Sequence, residues 1–166
     1  MSPVASLVAV HEELDRVFAR FRELVLIGDG ARAAAVLATY GALTADHAAA
    51  EEALLVPLLD DAARWPAELY TGQHAKLLAA IARTADAVAG LAAGAPGWRT
   101  RALAALDTAA PLHHLAEHHH LAEEQDLLPL VGEREPARLV EVAARFWATH
   151  AAHRAVLADA DAALAG

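Results

Sequence analysis

Glycine and proline residues divide this chain into long segments that have helical spacing and no strand pattern. Proline lacks an amide hydrogen and clashes with the preceding helical turn, whereas glycine readily adopts the left-handed conformation that ends helices. Such breakers occur as "GDG" at 28–30, as "GAPG" at 94–97, and as isolated prolines. Five helices are predicted between them, over about 4–27, 31–56, 67–92, 98–128 and 136–164.

The composition supports an all-α fold. Hydrophobic residues make up 57% of the 166 residues, and most are alanine or leucine, which are favourable in helices. Aromatic residues make up only 5%, and no stretch alternates with period two. Because the connections are short, we expect an up-down antiparallel four-helix bundle over about 4–131, with an additional C-terminal fifth helix covering it, as one domain over 1–166.

Three features of the sequence constrain where this protein is located and what it binds. No apolar run is long enough to cross a bilayer, so no membrane association is expected. The N-terminal residues lack a basic leader, so a cytoplasmic location is predicted. The net charge of −9 argues against nucleic-acid binding, and the absence of cysteine excludes thiolate ligation of a metal. The pattern does not indicate an oligomeric state.

An internal repeat marks the second and fourth helices. Residues 47–58, "HAAAEEALLVPL", align without a gap on residues 119–130, "HHLAEEQDLLPL". The pairs that match include two His-x3-Glu motifs, the glutamates that follow them, and Pro57 with Pro129. An alanine-rich helix would match alanine by chance, but not this set in one register. The repeat selects His119 with Glu123, and His47 with Glu51.

A His-x3-Glu motif places an imidazole and a carboxylate on one face of a helix, where both can ligate one metal ion. Each carboxylate has two oxygens and can therefore bridge two ions. Two other pairs, His113 with Glu117 and His120 with Glu124, have the same spacing, so one occurrence would be weak evidence. Four other histidines near the second copy of the repeat are expected to lie on solvated faces or to bind adventitious metal during purification: His113, His114, His118 and His120.

Histidines also interrupt the apolar stripes of the first and third helices. His11 lies between Leu7 and Leu14, and His74 lies between Tyr70 and Leu77. A lone histidine on such a face is usually a hydrogen-bonded core residue. Here, however, four helices each direct one histidine inward and two add a glutamate, and burial of unpaired ionised groups is costly. The pattern predicts a buried metal centre.

These motifs resemble those of the hemerythrin-like family, also called the HHE cation-binding domain, over about residues 4–131. The resemblance rests on His11 and on three stretches, "HAAAEEALLVP" (47–57), "GQHAKLL" (72–78) and "HHLAEEQDLLP" (119–129). It implies a centre of two iron ions with a bridging oxo, hydroxo or water ligand. The ligands it implies are four terminal histidines and two bridging glutamates: His11, His47, His74, His119, Glu51 and Glu123.

The chain departs from the oxygen-carrying members of that family on its third helix. Those proteins have a second histidine four residues after the first, where this chain has Leu78. They also end with His-x4-Asp, and this spacing makes Glu124 a rival to Glu123 as the bridging residue. The missing ligand leaves open coordination positions, unless Tyr70 or a histidine of the fifth helix, His150 or His153, completes the centre.

The resemblance implies a protein that binds or reacts with a small oxidant, namely O2, NO or hydrogen peroxide. A diiron oxidoreductase is one reading, and its catalytic residues are not defined by the sequence. A second reading is a module that binds, stores or senses oxygen or metal without turnover. A third is a structural bundle that binds zinc, since His and carboxylate ligands accept several first-row metals, including manganese.

Overall fold

The structure, a computed structural model, describes residues 1–60 and 63–166. These residues form helices and connecting turns, without a β-strand. No helix among them combines the length and the apolar character that a membrane span requires. The α-helices are α1 (Pro3–Ile27), α2 (Gly30–Leu54), α3 (Ala67–Val88), α4 (Trp98–Ala122), α5 (Leu128–Arg134), α6 (Pro136–Ala152) and α7 (Arg154–Leu164).

The first four helices enclose a common core. Helix α1 packs on α2, α2 on α3, α3 on α4, and α4 on α1. Helix α6 lies across α1 and α2, and α7 continues over the same two helices. Leucine, valine and phenylalanine side chains of all these elements form one buried cluster, as expected for amphipathic helices that each turn one face inward.

The connection between α1 and α2 is a tight turn that only glycine allows. Gly28 ends α1 in the left-handed conformation, with φ of 79°. Asp29 then caps α2 by accepting a hydrogen bond from the amide of Arg32. A Cβ on Gly30 would overlap the carbonyl oxygen of Leu91, so the glycine permits close approach of the α3–α4 connection. The predicted break at "GDG" is confirmed.

The two copies of the repeat end differently. Helix α2 stops at Leu54, and Pro57 lies in a short 3₁₀ turn, Val56–Leu58. The prediction that Pro129 closes the fourth helix is wrong. There α4 passes into a π-helical turn, Glu123–Leu127, and then into α5. The amide of Leu128 bonds to the carbonyl of Glu123, five residues back, and Pro129 occupies the first turn of α5, where no amide donor is needed.

The prediction of one continuous fifth helix is also wrong. Pro136 begins α6 as expected, but the helical segment breaks at His153, whose φ of −98° and ψ of 3° separate α6 from α7. The break lets α7 follow the surface of α1 and α2. Ion pairs between Arg20 and Asp161 and between Arg32 and Asp159 hold it there.

One further boundary differs from expectation, and one proline lies inside a helix. Helix α3 ends at Val88, four residues earlier than predicted. Helix α4 continues through Pro111, although a proline inside a helical segment commonly bends or divides it. Pro111 lies on an exposed face, so the carbonyl that loses its helical donor can bond to water.

Candidate metal centre

Six side chains from different parts of the chain meet inside the ring formed by α1, α2, α3 and α4. Each histidine and glutamate among them is at most 3% exposed. Buried apolar side chains lie one turn away from each histidine along its own helix, for example Leu7 and Leu14 around that of α1. The six are His11, His47, Glu51, His74, His119 and Glu123. These are the six residues that the sequence selected.

The six side chains form two groups that share both carboxylates. One group contains His11 and His47 with the two glutamates, and the other contains His74 and His119 with the same glutamates. Within each group, the potential ligand atoms all lie within 4.8 Å of one another. The arrangement therefore offers two adjacent positions for a cation, each with two imidazoles and two carboxylates.

Each carboxylate directs its two oxygens to different groups. For Glu51, Oε1 lies 3.4 Å from Nε2 of His47 and Oε2 lies 3.4 Å from Nε2 of His74. For Glu123, Oε2 lies 3.4 Å from Nε2 of His11, while Oε1 lies 3.2 Å from Nε2 of His119. Both glutamates thus have the orientation of bridging ligands.

The inward atoms of this cluster have few hydrogen-bond partners and would be stabilised by a proton or a metal ion between them. Several have no hydrogen-bond partner among the described residues, including both oxygens of Glu51 and of Glu123 and Nε2 of His11 and His74. A carboxylate oxygen and a neutral imidazole nitrogen are both acceptors, so they repel each other unless a proton or a metal ion stands between them. Unpaired buried ionised groups are costly, and metal ions would remove that cost.

Three of the four histidines are oriented from behind by a side chain of another helix or turn. Nδ1 of His11 donates to Glu124, at 2.8 Å, and Nδ1 of His74 donates to Glu52, at 2.9 Å. Nδ1 of His119 donates to the side-chain oxygen of Gln73, at 3.0 Å. A hydrogen bond at Nδ1 fixes the tautomer that leaves the Nε2 lone pair free for a metal ion.

His47 differs from the other three. Its Nδ1 is buried and has no partner within the described part of the chain. Its ring meets the edge of Phe146 on α6, with the ring centroids 6.1 Å apart. Helix α6 therefore closes the side of the cluster that faces away from α3 and α4, and it does so with an apolar contact.

The pKa values of the side chains differ widely within the metal-free cluster. Burial lowers the pKa of His47 to about 3 and that of His119 to about 4. Burial also acts to lower the pKa of His11 and His74, but the carboxylates in contact with their rings prevail and raise both values to about 10. Burial and the neighbouring charge of Glu123 raise the pKa of Glu51 to about 8.

These pKa values predict proton release when metal binds. At pH 7 the metal-free protein holds protons on His11 and His74 and for the most part on Glu51, and metal ligation by these groups requires the protons to leave. We expect at least two protons to be released per chain, and the apparent metal affinity to rise more than tenfold per pH unit near neutrality. Calorimetric titrations in buffers of different ionisation enthalpy measure this number. Release of less than one proton would contradict the protonated histidine–carboxylate contacts.

The two candidate histidines of the C-terminal helices lie outside the two groups. Nε2 of His150 lies 3.1 Å from Glu13, and Nδ1 of His153 lies 3.5 Å from the hydroxyl of Thr39. Tyr70 is buried on α3, one turn before His74, and stays a candidate for the open position.

The expectation that His120 lies on a solvated face is wrong. Its ring is 7% exposed and stacks on that of His11, with centroids 4.3 Å apart and planes 4° from parallel. His119 points to the carboxylates, so the next residue along α4 turns toward α1, which packs on that side. His114 and His118 are exposed as expected, and His113 is partly exposed.

Sequence reasoning missed the residues that orient the histidines. Glu124 was considered only as a rival to Glu123, whereas its carboxylate bonds to His11 from outside the cluster. The signal was present in the repeat, because Glu124 aligns with Glu52 and the two play matching parts on His11 and His74. No comparable signal pointed to Gln73.

Removal of these outer hydrogen bonds should weaken metal binding. Loss of such a partner typically lowers metal affinity by roughly 10- to 100-fold, because the imidazole is no longer held in position. We expect this loss for Glu52→Ala and Glu124→Ala, measured by competition with a chelator of known affinity. Glu12→Ala, an exposed glutamate beside His11 in the sequence, is the matched control and should bind metal as the unmodified chain does. Equal affinities for all the variants would show that the orienting contacts are dispensable.

Comparisons of the chain with protein-family models, curated proteins and solved structures find no match. The functional interpretation therefore rests on the residues and their geometry.

Proposed function

We propose that this chain is a hemerythrin-like protein, in which an up-down four-helix bundle holds two iron ions and uses them to bind or react with O2, NO or hydrogen peroxide. The four helices α1 to α4 would form the bundle, and α6 with α7 would cover the face formed by α1 and α2. When bound, a pair of iron ions supplies redox equivalents and open coordination positions for a small oxidant.

The observation that carries this proposal is the sharing of Glu51 and Glu123 between two groups of histidines. A site for one structural ion needs only one such group, and a structural zinc site is usually a closed tetrahedron. Here six side chains serve two positions through two carboxylates. Each ion would receive two imidazole nitrogens and two carboxylate oxygens, and a six-coordinate ion such as iron would keep positions for exogenous ligands.

The protein itself would supply orientation and exclusion of water. Glu52, Glu124 and Gln73 fix three imidazoles, so the ligands need not reorganise when a metal binds. Leucines above and below the cluster, together with Phe146, keep bulk water out. A small diatomic molecule or peroxide is compatible with such an enclosed site, whose six side chains are at most 3% exposed.

The sequence of the third helix favours a centre that reacts with its oxidant over one that only carries O2. Leu78, at the position where oxygen carriers of the family have a second histidine, is 38% exposed. The buried position one turn after His74 is instead Leu77, which is 2% exposed. No further histidine or carboxylate of the described part of the chain joins either group in place of the missing histidine, so an oxidant and water could bind together.

The test is metal analysis followed by optical spectroscopy. The chain is produced without an affinity tag and with ample iron, and iron and zinc per chain are measured. Two iron ions per chain, together with a change of the visible spectrum on addition of O2, NO or hydrogen peroxide, would support the proposal. Zinc as the bound metal, or iron whose spectrum none of the three alters, would reject it in favour of a structural metal site.

A further inference from the structure

We propose that His114 and His118 form a second, exposed metal site on α4, for a divalent ion of the zinc, nickel or copper type. This site is separate from the buried centre and does not depend on the function proposed for it. Neither histidine belongs to the repeat register, and neither lies in the two buried groups.

The geometry of the pair is that of a chelate. The two residues are four apart on α4, so their side chains lie on the same face one turn apart. Their ring centroids are 4.3 Å apart and their planes are 87° from parallel. Two imidazole nitrogens bound to one ion stand roughly 3.3 Å apart, because each metal–nitrogen bond is about 2.0–2.1 Å long. Because both side chains are exposed, they can rotate to bring one nitrogen of each ring to that separation.

Both imidazoles are available to a ligand. Both residues are exposed, and each has the other ring as its contact, without a hydrogen bond or ion pair to another described residue. The neighbouring His113 is different, because its ring stacks on Phe18 and its Nδ1 lies 3.8 Å from Glu117. His113 is therefore held by the protein, whereas His114 and His118 present two free imidazoles.

The ligand chemistry selects the class of ion. Two exposed imidazoles and water suit zinc, nickel and copper, whereas magnesium and calcium prefer oxygen ligands. The helix holds the second imidazole next to the first, so the second bond forms at a high effective concentration. Loss of either histidine should therefore weaken binding by roughly 100-fold.

Calorimetric titration with Ni²⁺ tests the site. Four forms of the iron-treated full chain are compared: the unmodified chain, His114→Ala, His118→Ala and His113→Ala. Because the buried centre is common to all four, differences between their titrations measure Ni²⁺ binding on the exposed face of α4. We expect His114→Ala and His118→Ala each to lose one Ni²⁺ event, and His113→Ala to keep it.

The outcome is decisive in either direction. Unchanged Ni²⁺ binding in His114→Ala and His118→Ala, or an equal loss in His113→Ala, would overturn the proposal. Circular dichroism checks that each variant keeps its helices, which we expect since all the substitutions lie on or near the surface and alanine favours helix.

Discussion

For the proposed diiron centre, alanine at Glu51 or at Glu123 is expected to reduce the iron content from two ions per chain to one or none. Each carboxylate contributes one oxygen to each group, so a single substitution removes a ligand from both positions. The loss should therefore exceed that caused by Glu52→Ala or Glu124→Ala, which leave all six inward side chains in place. Iron per chain, measured by elemental analysis after removal of free metal, gives the result.

The control for these variants is Glu117→Ala. Glu117 lies on α4 as part of another His-x3-Glu pair, but its side chain is 55% exposed. Its removal should leave the iron content of the buried centre unchanged. Glu51→Gln and Glu123→Gln keep the side-chain volume and guard against misfolding. Full iron content in both alanine variants would falsify the bridging assignment.

The features that could be predicted from the sequence are those set by residues close together in the chain, such as helix ends and inward faces. Gly28, Pro66 and Pro136 mark helix ends or starts close to where the structure has them, because backbone preferences of glycine and proline act within one turn. The inward histidines were predictable for a similar reason. Each interrupts an apolar stripe, and helical periodicity alone determines which face it shares.

The features that the sequence did not predict depend on contacts between distant residues. The hydrogen bond from His11 to Glu124 joins residues 113 positions apart. The burial of His120 likewise requires α1 to lie against that side of α4. Local pattern could not distinguish an exposed His120 from a buried one, since its neighbours His118 and His119 already point in different directions.

The two copies of the repeat show the limit of local reasoning most clearly. Both have proline six residues after the ligand glutamate, yet Pro57 lies in a 3₁₀ turn and Pro129 lies inside continuing helix. After Pro129, α5 can bury Leu128 and Val131 and then contact α6. Tertiary packing on the second copy therefore overrides a breaker that ends the first.

Removal of metal is expected to lower the thermal stability of this protein strongly. An ion that binds only the folded state, at a thousand times its Kd, stabilises it by about 4 kcal/mol. For a domain of this size that corresponds to roughly 8–16 °C in Tm for one ion. In the metal-free protein the oxygens of Glu51 and Glu123 contact Nε2 of His11 and His74 only at 3.4–3.8 Å, so these contacts replace the lost metal–ligand bonds incompletely.

The measurement is thermal unfolding followed by circular dichroism, before and after treatment with a strong chelator. The chain carrying His114→Ala and His118→Ala is used, so that an ion on the surface of α4 does not contribute. The double variant Glu51→Ala, Glu123→Ala in the same background is the control, and its Tm should be insensitive to chelator. If the chelator leaves the Tm of both proteins unchanged, metal does not occupy the buried cluster, because an ion bound among six core side chains must contribute to the stability of the fold.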